Sequence, residues 1–99
     1  MDLAEAVYSV TSKMPSEERF GLTSQMRRCA VSVPSNIAEG SKRRTKQDFM
    51  QFLRIAAGSA AELETQLLLA GKIYKLRIDQ TQEALKEVQK MLEGLMKKL

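Results

Sequence analysis

The 99-residue sequence contains no histidine, no tryptophan, one cysteine and two prolines. Without histidine there is no Ser-His-Asp triad, no Cys-His pair, no imidazole-ligated zinc and no imidazole base at neutral pH. The lone thiol, Cys29, makes neither an internal disulfide nor a cysteine-rich metal site, and it fits a reducing, cytoplasmic setting. Long apolar runs are missing as well. The longest, Leu67 to Ala70, is far short of a membrane span. The opening residues Met1-Asp2-Leu3-Ala4-Glu5 carry two acids and no basic stretch, so they do not read as a signal peptide. Aromatics at 5% and five glycines leave too few turns and strand formers for an all-β sandwich.

What is present is 43% apolar and 28% charged residues, the balance of one globular domain over residues 1–99. The net charge of +4 is unevenly placed. Between Arg19 and Arg54 stand eight bases (Arg19, Arg27, Arg28, Lys42, Arg43, Arg44, Lys46, Arg54) and two acids, while the remainder is slightly acidic. Lys42, Arg43, Arg44 and Lys46 are four positive charges in five positions, a composition that attracts phosphates. The competing reading is a solvated loop.

Apolar spacing of three and four residues marks four helices, at about 2–13, 22–39, 46–74 and 79–98. Met14-Pro15 ends the first, and Glu17 to Gly21 reads as a short turn. Pro34 lies inside the second, where the Ala30 carbonyl loses its donor, and predicts a kink. Ser35 and Asn36 stand ready to satisfy the freed carbonyls. Gly40 occupies the place of a left-handed C-cap. Thr45 and Asp48 resemble a capping box, and Asp79 is placed to cap the fourth helix. The expected fold is all-α: an antiparallel up-and-down four-helix bundle with a kinked second helix, assembling as a homo-oligomer.

The oligomer is expected from the third helix, which carries apolar groups off its core stripe. Met50, Ala57, Ala61 and Leu68 line one flank, with Ile55 and Leu69 towards the opposite side. They read as a subunit interface, or else as the broad face of a buried central helix. Its run Ala56-Ala57-Gly58-Ser59-Ala60-Ala61 admits close helix packing. Glu64 borders the core stripe and needs a partner, with Arg27 or Arg28 the expected one. A di-iron bundle site needs Glu-x-x-His motifs that a chain without histidine lacks. Cys29 reads as core, and the five glycines form no phosphate-binding loop. Neither metal nor cofactor is expected, and no catalytic residue.

The central segment carries a more specific signal. Glu17-Glu18-Arg19-Phe20-Gly21-Leu22-Thr23-Ser24-Gln25 precedes Ser32-Val33-Pro34-Ser35-Asn36-Ile37-Ala38-Glu39-Gly40. Arg43-Arg44, Phe49, Phe52-Leu53, Gly58-Ser59 and Ala61 to Leu67 follow. From Met14 to Leu69 the chain strongly resembles the four-helix-bundle proteins encoded within intervening sequences of bacterial large-subunit (23S) ribosomal RNA genes. The fourth helix matches only in pattern, and relatives usually begin with a longer first helix. The resemblance implies four antiparallel helices, a ring-like homopentamer and no enzymatic activity. It also implies kinship with the accessory proteins of diversity-generating retroelements, basic pentamers that bind nucleic acid and a reverse transcriptase.

The function expected is non-enzymatic binding of RNA or DNA, with Arg19, Arg27, Arg28, Lys42, Arg43, Arg44 and Lys46 contacting phosphates. Readout of base sequence is expected to be weak, for want of an aromatic platform. The alternative is a protein-interaction scaffold, an accessory to a reverse transcriptase or ribosome-associated partner, with no direct nucleic-acid role.

Overall fold

Asp2 starts the first helix, its carboxylate accepting the Ala4 N–H at 2.9 Å. The structure, a computed structural model, describes residues 2–99. The chain is all-α, with no strand among the described residues. It runs through α1 (Leu3–Thr11), a 3-10 turn (Ser16–Glu18), α2 (Leu22–Ser41), α3 (Lys46–Tyr74) and α4 (Asp79–Lys98). Among the described residues no helix is long and apolar enough to cross a membrane.

Local chemistry accounts for the ends. Thr45 Oγ1 accepts the Asp48 N–H at 3.1 Å and opens α3. Lys75 closes it in the left-handed conformation, its N–H on the Gly71 carbonyl. Two expected caps are placed differently. Asp79 is the first residue of α4, and the cap position falls to Ile78, with no side-chain bond. Gly40 is not a left-handed cap, because α2 continues to Ser41 and no glycine has positive φ. Its role is close approach: a Cβ there would stand 2.6 Å from Phe52 Cβ and 2.9 Å from Phe49 Cδ1.

Each helix packs on the next in sequence, and α4 also packs on α1. Along the broadest seam, Arg28 faces Glu62, Ser32 faces Ser59, and Gly40 lies against Phe49 and Phe52. Between α3 and α4, Gly71 meets Ile78 and Glu64 meets Gln89. The 29 residues of α3 extend to about 43 Å at roughly 1.5 Å per residue, which is the molecule's 43 Å long axis. α1 is only nine residues long and ends beside α2.

The core lies between these faces. Val7, Met26, Cys29, Ala30, Val33, Leu53, Ala56, Ala60, Leu63, Leu67, Leu85 and Leu92 are all buried. Each fully buried leucine contributes about 1.5–3 kcal/mol. Where α1 meets α2 the core carries a polar bolt. The buried Thr11 hydroxyl donates to the Val7 carbonyl at 2.8 Å and accepts Arg27 Nε at 2.8 Å. The Arg27 guanidinium lies 4.4 Å from the centre of the Tyr8 ring.

Pro34 sits within α2 on its exposed side. Asn36 Nδ2 reaches the Ser32 carbonyl at 2.8 Å and the Ser32 hydroxyl at 3.0 Å, so the carbonyl it serves is not that of Ala30. The Ser32 hydroxyl in turn meets Ser59 Oγ at 2.9 Å. The expected role of Asn36 at a proline-freed carbonyl becomes part of a polar link between α2 and α3.

The signature around Glu18 is a clamp. Glu18 Oε1 accepts the Leu22 N–H at 3.1 Å, and Oε2 accepts the Tyr74 hydroxyl. One carboxylate thus ties the start of α2 to the end of α3. Gly21 leaves room for it, since a Cβ there would approach Glu18 Oε1 to 2.7 Å.

Candidate nucleic-acid interface

The basic segment divides between the two ends of the molecule. Lys42, Arg43, Arg44 and Lys46 are exposed around the α2–α3 loop. Arg19 precedes α2 at its other end, some 20 residues of helix away, or about 30 Å at helical rise. Arg28 is about 21 Å from Lys42 by the same measure. Arg27 is engaged with Thr11 and Tyr8 as described, a tie between helices. Arg28 spends its donors on Gln25 at 2.7 Å and on Glu62 at 3.4 Å. Of the seven bases expected to contact phosphates, four thus form one dense end, and Arg19, Arg27 and Arg28 lie elsewhere.

That end gains charges that lie far off in sequence. The start of α3 and the end of α4 come together around a shallow cleft of about 450 Å³ lined by Lys46, Gln47, Met50, Gln51, Arg54 and Leu99. Lys97 and Lys98 occupy the last turn of α4. Seven bases (Lys42, Arg43, Arg44, Lys46, Arg54, Lys97, Lys98) thus share one end with three acids (Glu39, Asp48, Glu93). Arg43 donates to Glu39 at 2.7 Å and lies 4.8 Å from the centre of the Phe52 ring. The other six bases have no ion-pair partner among the described residues. A signal for Lys97 and Lys98 was present in their adjacency, but their helix-end position also suits the helix dipole, so sequence alone assigned them there.

Glu64 corrects a second expectation. It is exposed on α3, where Gln89 Nε2 approaches at 3.5 Å, and neither Arg27 nor Arg28 reaches it. Glu62, two residues earlier, faces α2 and takes Arg28.

The off-stripe residues of α3 are of two kinds. Ala57 is partly buried against the core, beside Leu92 and Met96 of α4, and Met50 lies in the cleft beside Leu99. Those two serve the chain's own α3–α4 seam. Ile55, Leu68 and Leu69 remain 52%, 49% and 46% exposed, Ala61 is exposed, and Ile73 adds a further 59% exposed side chain. Cys29 is fully buried. Burial first, and Glu62 second, push its thiol above the ordinary value, so it stays protonated and packs as a small apolar group.

No curated protein matches this chain. A family model does match, over residues 1–97, nearly the whole sequence and well beyond the stretch that carries the resemblance. The chain belongs to the 23S rRNA-intervening sequence protein family.

Proposed function

We propose that this protein is a non-enzymatic homo-oligomer that binds nucleic acid, RNA first, through the basic end of its helices. The observation that carries this is the convergence of the α2–α3 loop, the start of α3 and the last turn of α4 at one end. Guanidinium and ammonium groups there meet phosphate oxygens, the guanidinium as a two-pronged donor.

The bundle is read as antiparallel and up-and-down, supported by contacts that descend one helix as they ascend its neighbour, as at 28–62 and 40–52. A kink at Pro34 follows from its missing N–H. Assembly is supported by the exposed Ile55, Leu68, Leu69 and Ile73 of α3. As a homopentamer the charge of +4 per chain becomes about +20, a field that steers polyanions. No catalytic role belongs to this reading, and the cytoplasm is its proposed setting.

A filter-binding titration against a structured fragment of ribosomal RNA tests it. Binding tightens at low salt and falls steeply as salt rises, because counterions are released from the phosphates. Absence of binding at low salt defeats the reading. The scaffold alternative, with a reverse transcriptase or ribosome-associated protein as partner, is favoured by the same exposed apolar face of α3. Reversing Arg44 and Lys46 to Glu separates the two: RNA binding is lost under the first reading, whereas under the second wild type and variant alike bind no RNA.

A further inference from the structure

Phe20 is the most exposed large apolar side chain among the described residues, at 87%. It belongs to no core and stands beside Arg19, whose guanidinium is 5.8 Å from the centre of its ring. The tip that presents it is held rather than loose. Glu18, two residues earlier, is bound to both Leu22 and Tyr74. A rigidly mounted aromatic next to an unpaired cation is a plug without a socket.

A socket of matching character lies on another flank of the same chain. Between α3 and α4 is a cleft of about 330 Å³, ample for a phenyl ring. Leu68, 49% exposed, supplies its apolar side over the buried Leu67 and Leu85, and Glu64, Asp79 and Glu83 its charged rim. None of these three carboxylates is ion-paired among the described residues, and Lys86 is the one base on the rim.

We propose that the Arg19–Phe20 tip of one chain seats in the α3–α4 cleft of a second copy, Phe20 on Leu68 and Arg19 on the carboxylates. The tip precedes α2, while the cleft belongs to α3 and α4, and α2 does not pack on α4. The contact is therefore head to tail, the kind that repeats around a ring. Tip and cleft lie toward the same end of the molecule, Asp79 on the cleft being the first residue of α4. Glu18 meets Tyr74, and Leu68 lies six residues before Tyr74 on α3, about 9 Å along the axis. This inference rests on the homo-oligomer reading above and names the contact that builds it.

Light scattering and sedimentation equilibrium on the full chain test it. Phe20→Asp and Arg19→Glu each raise the dissociation constant of the assembly at least tenfold. Helicity and melting of the dissociated chain stay unchanged, since neither side chain belongs to the core. Glu83→Lys weakens assembly likewise, and combining it with Arg19→Glu restores it. A chain carrying Phe20→Cys with Leu68→Cys oxidises to a covalent ladder, whereas neither single variant does, Cys29 being buried. A wild-type oligomer whose mass survives Phe20→Asp overturns this contact and leaves the oligomer reading standing. A wild-type chain that is monomeric at every concentration defeats both. Loss of RNA binding by Phe20→Asp with assembly intact assigns Phe20 to a base and overturns the proposal.

Discussion

Single side chains in this protein tie elements together more than they decorate the surface, and Arg27 and Glu18 are the clearest cases. Arg27→Ala removes the bond to buried Thr11 and the contact with Tyr8. The expected cost is about 1–3 kcal/mol in urea denaturation, with RNA affinity unchanged, because Arg27 faces α1 rather than the basic end. Glu18 makes stability depend on pH. The Tyr74 hydroxyl, then the Leu22 N–H, hold its carboxyl below the ordinary 4.5. The folded chain therefore takes up this proton less readily than the unfolded one. Its contribution is complete above pH 4.5 and is lost as pH falls below that value. The same contact raises Tyr74 above 10.0, so that contribution is complete below pH 10 and lost as pH rises beyond it. Melting followed against pH reads both limbs. Glu18→Gln melts below wild type at neutral pH and converges on it in acid, and Tyr74→Phe flattens both limbs.

At the scale of elements, the helices are set by packing where their own preferences disagree. Gly40 is a poor helix former inside α2, yet the approach of Phe49 and Phe52 leaves no space for a Cβ. Gly40→Ala is expected to destabilise by about 1–3 kcal/mol through overpacking, against the roughly 1 kcal/mol that alanine gains in a helix. Gly94 in α4 has nothing within 4 Å of a built Cβ. There propensity acts alone, and Gly94→Ala is expected to stabilise by about 0.5–1 kcal/mol. Thermal unfolding of the two variants side by side checks both signs. The seam of Ser32, Asn36 and Ser59 keeps α2 and α3 in register across the turn that Pro34 weakens.

Across the whole molecule, charge is sorted by the fold rather than by the chain's order. Lys97 and Lys98 lie some fifty residues from Lys46 but share its end. Neutralising that pair to Gln is expected to weaken RNA binding as much as neutralising Arg44 and Lys46, each pair lowering the salt slope by about 2. Neutralising Arg28, about 21 Å along α2 from Lys42, leaves the slope unchanged. Salt titrations of the three variants measure this directly.

Much of this architecture was legible from local pattern. Leucine and alanine spacing along α3, the Thr45–Asp48 start and the scarcity of aromatics and turn residues point to an all-helical chain, because helical bonds and caps act within four residues. Cys29 read as core from its place on the α2 stripe, and it is fully buried. What local pattern could not decide is which faces meet. Glu62 and Glu64 are two residues apart and chemically identical, and only the position of α2 selects Glu62 for Arg28. Gly40 looks like a cap until Phe49 and Phe52 come against it. The basic run became one end of a larger patch, and Arg27 left it for Thr11 and Tyr8. Sequence order determined the helices, since their bonds are local. The tertiary structure alone decided the partners, since distance through space between side chains is not encoded by distance along the chain.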